Sequence, residues 1–242
     1  MAEVVRSGIP VSLSTGRVVL AAQQFLDQLS LDGVHIFFDG ALVFNPSSAE
    51  EVYIDLIPAD LVREMIELSR HIKVNLDLFS LNHFFVEKES WVSEIRERFF
   101  GLEVSVVDFA AIWQQQKIIK GTLVARTDKE KVEVGEFCQH FGNRLAFSLT
   151  RTPAYPNIDF TNIIAAGASK GKALEALASH LGIALSQVAA IGDGANDMSL
   201  LSRVGLSIAM GNASDELKAA ADQITLDVEH NGLAVAVKKF LL

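Results

Sequence analysis

The segment Ala190–Leu200, AIGDGANDMSL, decides how the chain is read. Val188–Ile191 is a fully apolar run of strand length, and it delivers Asp193 into a glycine-rich turn. A second carboxylate, Asp197, follows four residues later, where a helix is expected to begin. Two carboxylates aimed at one place disfavour any further anion unless a cation neutralises them. A hard, oxygen-preferring cation such as Mg²⁺ meets that requirement. The same residues also fit two other readings. Asp193 and Asp197 can cap the helix, as Asp, Asn and Ser do. Gly192-Asp193-Gly194 after a strand is also the start of a dinucleotide loop, although Asp197 stands where the third glycine belongs and would face a pyrophosphate.

Outward from this segment, strands and helices alternate. Ala173, Leu174, Leu177, Ala178 and Leu181 mark one face of a helix that Gly182 can end. Asn196–Val204 reads as a further helix and Leu206–Met210 as a further strand. Near the start, Ile9–Leu13 is a short apolar run closed by Ser14, Thr15 and Gly16. Val18, Leu20, Ala21, Phe25 and Leu29 then recur at helical spacing, and Val34–Phe38 gives a second buried strand ended by Asp39 and Gly40. Such alternation predicts a parallel sheet covered on both faces, with ligands at the carboxyl ends of its strands.

Between residues 45 and 165 the pattern changes. Asn45, Pro46, Ser47 and Ser48 break it. Val74, Leu76 and Leu78 then alternate with polar residues, as do Leu145, Phe147 and Leu149, which predicts strands with one wet face. Helices are expected at Pro58–His71, Trp91–Phe100 and Asp128–Phe141, and Phe84, Phe85, Phe99 and Phe100 as core. The expected division is therefore a discontinuous domain of residues 1–44 and 166–242, with an α/β insert at 45–165. No internal repeat of fixed period is present.

Composition excludes several classes. The 242 residues are 50% hydrophobic and 21% charged, with 16 Gly and 5 Pro, which excludes disorder and fibrous repeats. The formal net charge of −9 opposes a general grip on nucleic acid or anionic membranes, so an anionic ligand must be caught locally. One cysteine, Cys138, and the lack of a basic-then-apolar leader in MAEVVRSGIP point to the cytoplasm. No apolar stretch approaches the roughly 18 residues of a membrane span. The six histidines never fall three or four apart, so no zinc helix is expected.

Two other segments bear chemistry. SLSTGR, Ser12–Arg17, places hydroxyls and backbone N–H groups where a helix begins, a ready phosphate cradle with Thr15 as O–H donor; a simple N-cap by Ser14 or Thr15 fits it equally. Ser169-Lys170-Gly171 opens an amphipathic helix, where a lysine opposes the macrodipole and suggests an anionic partner; a solvated surface lysine is the plainer reading.

Over nearly its whole length the chain resembles the haloacid dehalogenase superfamily of phosphatases, in its Cof-like, subclass IIB branch. The resemblance is carried by ASKGKALEALASHLGI (168–183), AIGDGANDMSLL (190–201) and GLSIAMGNA (205–213), and supported by STGR (14–17) and FFDGALVFNP (37–46). It implies a Rossmann-like three-layer α/β core with a parallel sheet and an inserted α/β cap. It also implies Mg²⁺-dependent hydrolysis of a small phosphorylated metabolite. By the resemblance, Thr15 binds the transferring phosphoryl group and Lys170 neutralises it. Asp193 and Asp197 hold Mg²⁺. Asn196 orients the phosphate, and Gly211, Asn212 and Ala213 edge the site. Gly16, Arg17, Asp39 and Gly40 complete the phosphate-binding set, with Asp39 standing where relatives usually have Asn.

One departure is large. The family opens with a strand ending in DxDGT, whose first Asp attacks phosphorus and whose second serves as general acid and base. No such motif precedes Ile9, and Phe37 occupies the nucleophile's place in Phe37-Phe38-Asp39-Gly40. The expectation is a core without its first strand and impaired turnover, explained by a late start codon or a truncated gene. The alternatives are a catalytically inactive phosphate-ligand binding or regulatory protein, a replacement nucleophile at Asp39, and a dinucleotide oxidoreductase. Substrate choice is expected to lie in the cap, where His83, Lys117 and Arg151 offer polar groups, with hinges at Asn45–Ser48 and Ala165–Gly167. The sequence carries no signal for an oligomeric state.

Overall fold

Residues 2–100, 104–152 and 154–242 are described by a computed structural model. Packing divides the chain between two units, one of Met1–Gly16, Ala22–Tyr53 and Ser169–Leu242, the other of Arg17–Ala21 and Ile54–Ala168. No helix among the described residues is long and apolar enough to cross a membrane.

The chain opens with α1 (Ala2–Arg6), α2 (Val19–Leu29), β1 (His35–Phe37), β2 (Leu42–Asn45) and β3 (Glu50–Ile54). The strand expected at Ile9–Leu13 is not a regular strand. Leu13–Thr15 runs parallel to β1, with Ile36 N–H donating to the Leu13 carbonyl at 2.8 Å and Thr15 N–H to the Ile36 carbonyl at 2.9 Å. Ahead of that bridge, side chains take the ladder's place. Leu13 N–H donates to His35 Nδ1 at 3.2 Å, and Ser12 Oγ to the Val34 carbonyl at 2.8 Å.

The break read at Asn45–Ser48 becomes a turn, in which Asn45 Oδ1 accepts from Ser47 N–H at 3.0 Å. It is not the limit of the first unit. Because β3 continues the β1-β2-β3 sheet, that unit extends to Tyr53 rather than residue 44, and the chain rejoins it at Ser169 rather than 166.

The second unit contains α3 (Ala59–Ile72), β4 (Asn75–Phe79), β5 (Phe84–Val86), α4 (Trp91–Phe100), β6 (Val104–Val106), α5 (Phe109–Gln115), β7 (Lys120–Ala125), α6 (Asp128–Phe141), β8 (Leu145–Thr152) and β9 (Tyr155–Ala165). The strands form one sheet in the order β6-β5-β4-β7-β9-β8. The three expected helices form, and α6 opens with a capping box in which Thr127 and Glu130 satisfy each other's backbone N–H. Leu76, Leu78, Phe85, Leu123 and Ile163 join Met65, Phe109 and Phe137 from the helices in one core. Phe84 is buried as expected, whereas the side chains of Phe99 and Phe100 lie outside the described residues.

The polar face of β4 is not fully wet, Asn75 being half-buried. Asp77 is 2% exposed, registered beside buried Thr122 of β7. Its Oδ2 accepts from Arg96 Nε of α4 at 3.1 Å, and the guanidinium lies 5.0 Å from the Phe160 ring and 5.6 Å from that of Phe79. An alternating pattern fixes which residues share a face and does not say whether that face is covered.

The chain then returns to the first unit with α7 (Lys170–Leu181), β10 (Ala189–Gly192), α8 (Met198–Leu201), β11 (Leu206–Ala209), α9 (Asp215–Ala220), β12 (Gln223–Ile224) and α10 (Gly232–Phe240). Strands β10-β11-β12 are parallel, whereas β1 and β2 pair antiparallel, so the expected single parallel sheet is represented by two three-stranded sheets among the described residues. Ala173, Leu174 and Leu177 of α7 share one core with Ile36 and Val43 of one sheet and Ala190 and Ala209 of the other. Gly182 ends α7 in the left-handed conformation, φ 67°.

Desolvation raises the Asp77 carboxyl to about 6 despite Arg96. A carboxyl raised on folding contributes stability that is present at low pH and lost as pH rises through its folded value. Asp77→Asn keeps an acceptor for Arg96 and removes the titration. Urea melts between pH 4 and pH 7 should therefore show the parent chain losing stability relative to this variant as pH rises. Arg96→Ala, which leaves the carboxylate buried and unpaired, should cost about 3–5 kcal/mol at pH 7.

Candidate functional site

Three loop ends of the first unit meet at the corner after β1. Phe38, Asp39 and Gly40 all have positive φ, at 52°, 58° and 99°. Asp39 N–H donates to the Thr15 carbonyl at 3.2 Å, which brings the STGR segment to the corner. A Cβ on Gly40 would lie 2.3–2.5 Å from the backbone of Ser169 and Lys170, and one on Gly16 would lie 2.4–2.9 Å from the Asp39 carboxylate. Glycine is required at both places because backbone or a carboxylate occupies the volume of any larger side chain.

Lys170 is the first residue of α7, behind the N-cap Ser169, whose Oγ accepts from Lys172 N–H at 3.2 Å. Its ammonium is buried and donates to Asp197 Oδ1 at 2.6 Å. Asp197 Oδ2 accepts from the backbone N–H groups of Asp193, at 3.0 Å, and Gly194, at 2.9 Å. The side chain thus closes its own loop, and a Cβ on Gly192 would sit 2.7–2.9 Å from it. This explains why the helix expected over Asn196–Val204 is only a 3-10 turn, Ala195–Asp197, followed by four-residue α8.

Asp193 is exposed, and its Oδ2 accepts from Asn212 Nδ2 at 2.9 Å; Asn212 Oδ1 in turn accepts from Val228 N–H at 3.1 Å. Asn196 donates through Nδ2 to Asp39 Oδ1 at 2.8 Å. Thr15, Gly16, Asp39, Gly40, Lys170, Asp193, Asn196, Asp197 and Asn212 are therefore linked by direct contacts. Arg17 packs with the second unit, where burial lowers its pKa.

The two Asp residues of the turn differ in kind. Both oxygens of Asp197 are engaged by Lys170 and the backbone, so it orders the loop. Asp193 projects outward, with one oxygen held by Asn212. Among the described residues no group of three or more His, Cys, Asp or Glu is placed to hold a metal ion. What the turn offers is one exposed carboxylate, Asp193. A hard oxygen ligand of this kind fits Mg²⁺, which keeps several waters and takes few protein ligands.

Sequence reasoning missed Gly171 and Ser199. Gly171 N–H donates to Ser199 Oγ at 3.2 Å, and a Cβ there would lie 2.1 Å from the Ser199 carbonyl, so α7 begins in direct contact with α8. A glycine just inside a helix, where it costs stability, was the available signal.

The family model of haloacid dehalogenase-like hydrolases matches residues 1–237. The chain belongs to this family. It is a hydrolase of the phosphatase kind, in the Cof-like branch the motifs indicated. It is 26% identical over 226 residues to the HMP-PP phosphatase of Serratia proteamaculans, covering 92% of this chain and 78% of that protein. The phosphatase BT1666 from Bacteroides thetaiotaomicron superposes with a TM-score of 0.78 at 27% identity, covering 99% of this chain and 84% of the other. The subclass IIB sugar phosphatase BT4131 superposes with a TM-score of 0.79 at 24% identity over 99% and 88% of the two chains.

The corner's packing can be tested directly. Gly40→Ala should destabilise the chain by more than ~1 kcal/mol in urea melts, since strain and a backbone clash coincide. Gly182→Ala, at φ 67° and ψ 27° with nothing within 4 Å of the new Cβ, should cost only the left-handed penalty of about 1–2 kcal/mol.

Proposed function

We propose that this chain is a Mg²⁺-dependent phosphomonoester hydrolase acting on a small phosphorylated metabolite. The observation that supports this reading is the buried Lys170–Asp197 pair, whose lysine begins α7 where Gly40 packs on the Ser169–Lys170 backbone and whose aspartate accepts from the Asp193 and Gly194 N–H groups. In this proposal the Thr15 hydroxyl and Lys170 ammonium bind the phosphoryl oxygens. Lys170 offsets charge that develops as the ester bond breaks, a preorganised electrostatic role. Asp193 would hold Mg²⁺, which when bound supplies further positive charge to the phosphoryl group, and Asn196 would orient the phosphate. Asp197 keeps the loop and Lys170 in place, and Asn212 orients Asp193.

The substrate class follows the relatives' printed activities on HMP-PP and on sugar phosphates. The second unit supports it with a cavity of about 280 Å³ whose lining includes Phe79, Ser80, Asn82, His83, Phe84 and Ser105. Stacked rings of Phe79 and Phe84 and several polar side chains suit a small polar organic group. Of the other cap residues singled out, Arg151 is tied to Asp159 at 2.7 Å.

The carboxylates brought to the corner among the described residues are Asp39, Asp193 and Asp197, held by Asn196, Asn212 and Lys170 respectively. Their being held in place favours a second reading, a phosphate-ligand binding protein.

The test is phosphate release from p-nitrophenyl phosphate and a panel of sugar phosphates, with Mg²⁺ and with EDTA. Activity should require the metal, and Asp193→Asn or Lys170→Met should lower it by about 10²–10³-fold. Turnover indifferent to EDTA and to both substitutions would reject the proposal. Mg²⁺-dependent binding of a sugar phosphate without turnover would establish the second reading in its place.

A further inference from the structure

His35 is a titratable side chain that the reaction as proposed does not use. It is fully buried in β1, opposite Phe44 of β2, with its ring edge-on to Phe37 at 6.2 Å. Among the described residues no partner meets its Nε2 at hydrogen-bonding geometry. A buried donor left unpaired costs stability that a leucine at this position would not incur. What the ring supplies lies at Nδ1, which accepts from Leu13 N–H at 3.2 Å. A ring nitrogen that accepts carries no proton, so this contact fixes the neutral tautomer with its hydrogen on Nε2. Burial lowers the pKa of the ring, and the Leu31 carbonyl and the Asp32 carboxylate oppose that shift without cancelling it. Among the described residues Asp32 is the charged group that acts on the ring.

The contact stands where a strand bond is due. Leu13–Thr15 pairs with Ile36 in the parallel sense, and one step back along a regular parallel ladder Leu13 N–H would donate to the Val34 carbonyl. That carbonyl instead accepts from Ser12 Oγ at 2.8 Å, and the imidazole takes up the displaced N–H. Two side chains thus splice the segment onto β1. Just beyond the splice lies Thr15, whose N–H donates to the Ile36 carbonyl and whose own carbonyl accepts from Asp39 N–H. We propose that His35 is a positioning residue: as a neutral acceptor it holds Leu13 N–H and so fixes the course of the segment that presents the Thr15 hydroxyl. This rests on the reading of Thr15 as a phosphate-binding residue. Protonation turns Nδ1 into a second donor facing Leu13 N–H, so the contact is lost as pH falls through the lowered value of the folded ring.

Two variants separate the acceptor from the bulk of the ring. His35→Leu removes the acceptor and suits the apolar surroundings, whereas His35→Asn keeps an acceptor oxygen near the place of Nδ1. The first readout needs neither ligand nor turnover. In the ¹⁵N-labelled parent chain an N–H···N bond transmits a scalar coupling between the Leu13 nitrogen and His35 Nδ1, and the ring shifts should show the hydrogen on Nε2. Both features should persist as pH falls through the ordinary imidazole range and vanish together below it. A ring with its hydrogen on Nδ1, or no coupling at neutral pH, would overturn the proposal.

The second readout is affinity for inorganic phosphate with Mg²⁺ present, followed through the Thr15 amide signal. His35→Leu should weaken phosphate by about 3- to 10-fold, the net worth of one hydrogen bond, and His35→Asn should restore most of that loss. A folded His35→Leu chain that binds phosphate as the parent does would overturn the positioning role. So would a folded His35→Asn chain that fails to restore the affinity, since the ring would then act by packing alone. Failure of the parent chain to bind phosphate would instead overturn the reading of Thr15 on which the inference rests, and the Leu13–His35 coupling tells the two failures apart.

Discussion

The ion pair between Lys170 and Asp197 is the contact on which the arrangement of the site depends. Two buried charges carry a desolvation cost that their attraction offsets only when the remaining hydrogen-bonding capacity is also satisfied. Asp197 meets this condition, because Lys170 holds one oxygen and two backbone N–H groups hold the other. The pair ties the start of α7 to the turn after β10. Since α7 also packs against both sheets of its unit, the ends of those sheets are registered to one another through a single helix. Gly171 and Gly192 follow from this contact, since each clears volume that backbone or the Asp197 side chain occupies.

The second unit contains a buried pair of the same formal kind with a different outcome. Asp77 meets Arg96 through Oδ2, and the guanidinium lies against the Phe79 and Phe160 rings. Desolvation outweighs the attraction there, and the carboxyl is raised. Like composition therefore serves two ends. One pair organises a loop that presents further polar groups, and the other fastens a helix over a sheet face.

Much of the fold was legible because its signals are local. Gly182 after a helical stripe and the apolar run ahead of Gly192 each report a constraint felt within a few residues. Asp193, Asp197 and Lys170 were legible as chemistry because charges at strand and helix ends have few structural uses. What could not be read depends on contacts distant in the chain. The Ile9–Leu13 run lost its strand because Leu13 N–H bonds a ring 22 residues away. The break at Asn45 was a real turn, but only the pairing of β3 with β2 shows that it does not end a unit. Asp39 looked like a modest departure from a family pattern, and its weight comes from Asn196, 157 residues on.

These contacts also bear on what the corner can bind. Asp39, Asp193 and Asp197 converge there with Lys170, so the formal charges of these groups sum to a net negative value before any ligand arrives. In the proposed reading, a phosphate group brought to the same loops meets attraction from the Lys170 ammonium and repulsion from carboxylates that neighbouring donors hold in place. Under that reading a cation offsets the repulsion, and Asp193 is the member of the set open to it, exposed and with one oxygen fixed by Asn212, whereas Asp197 is enclosed.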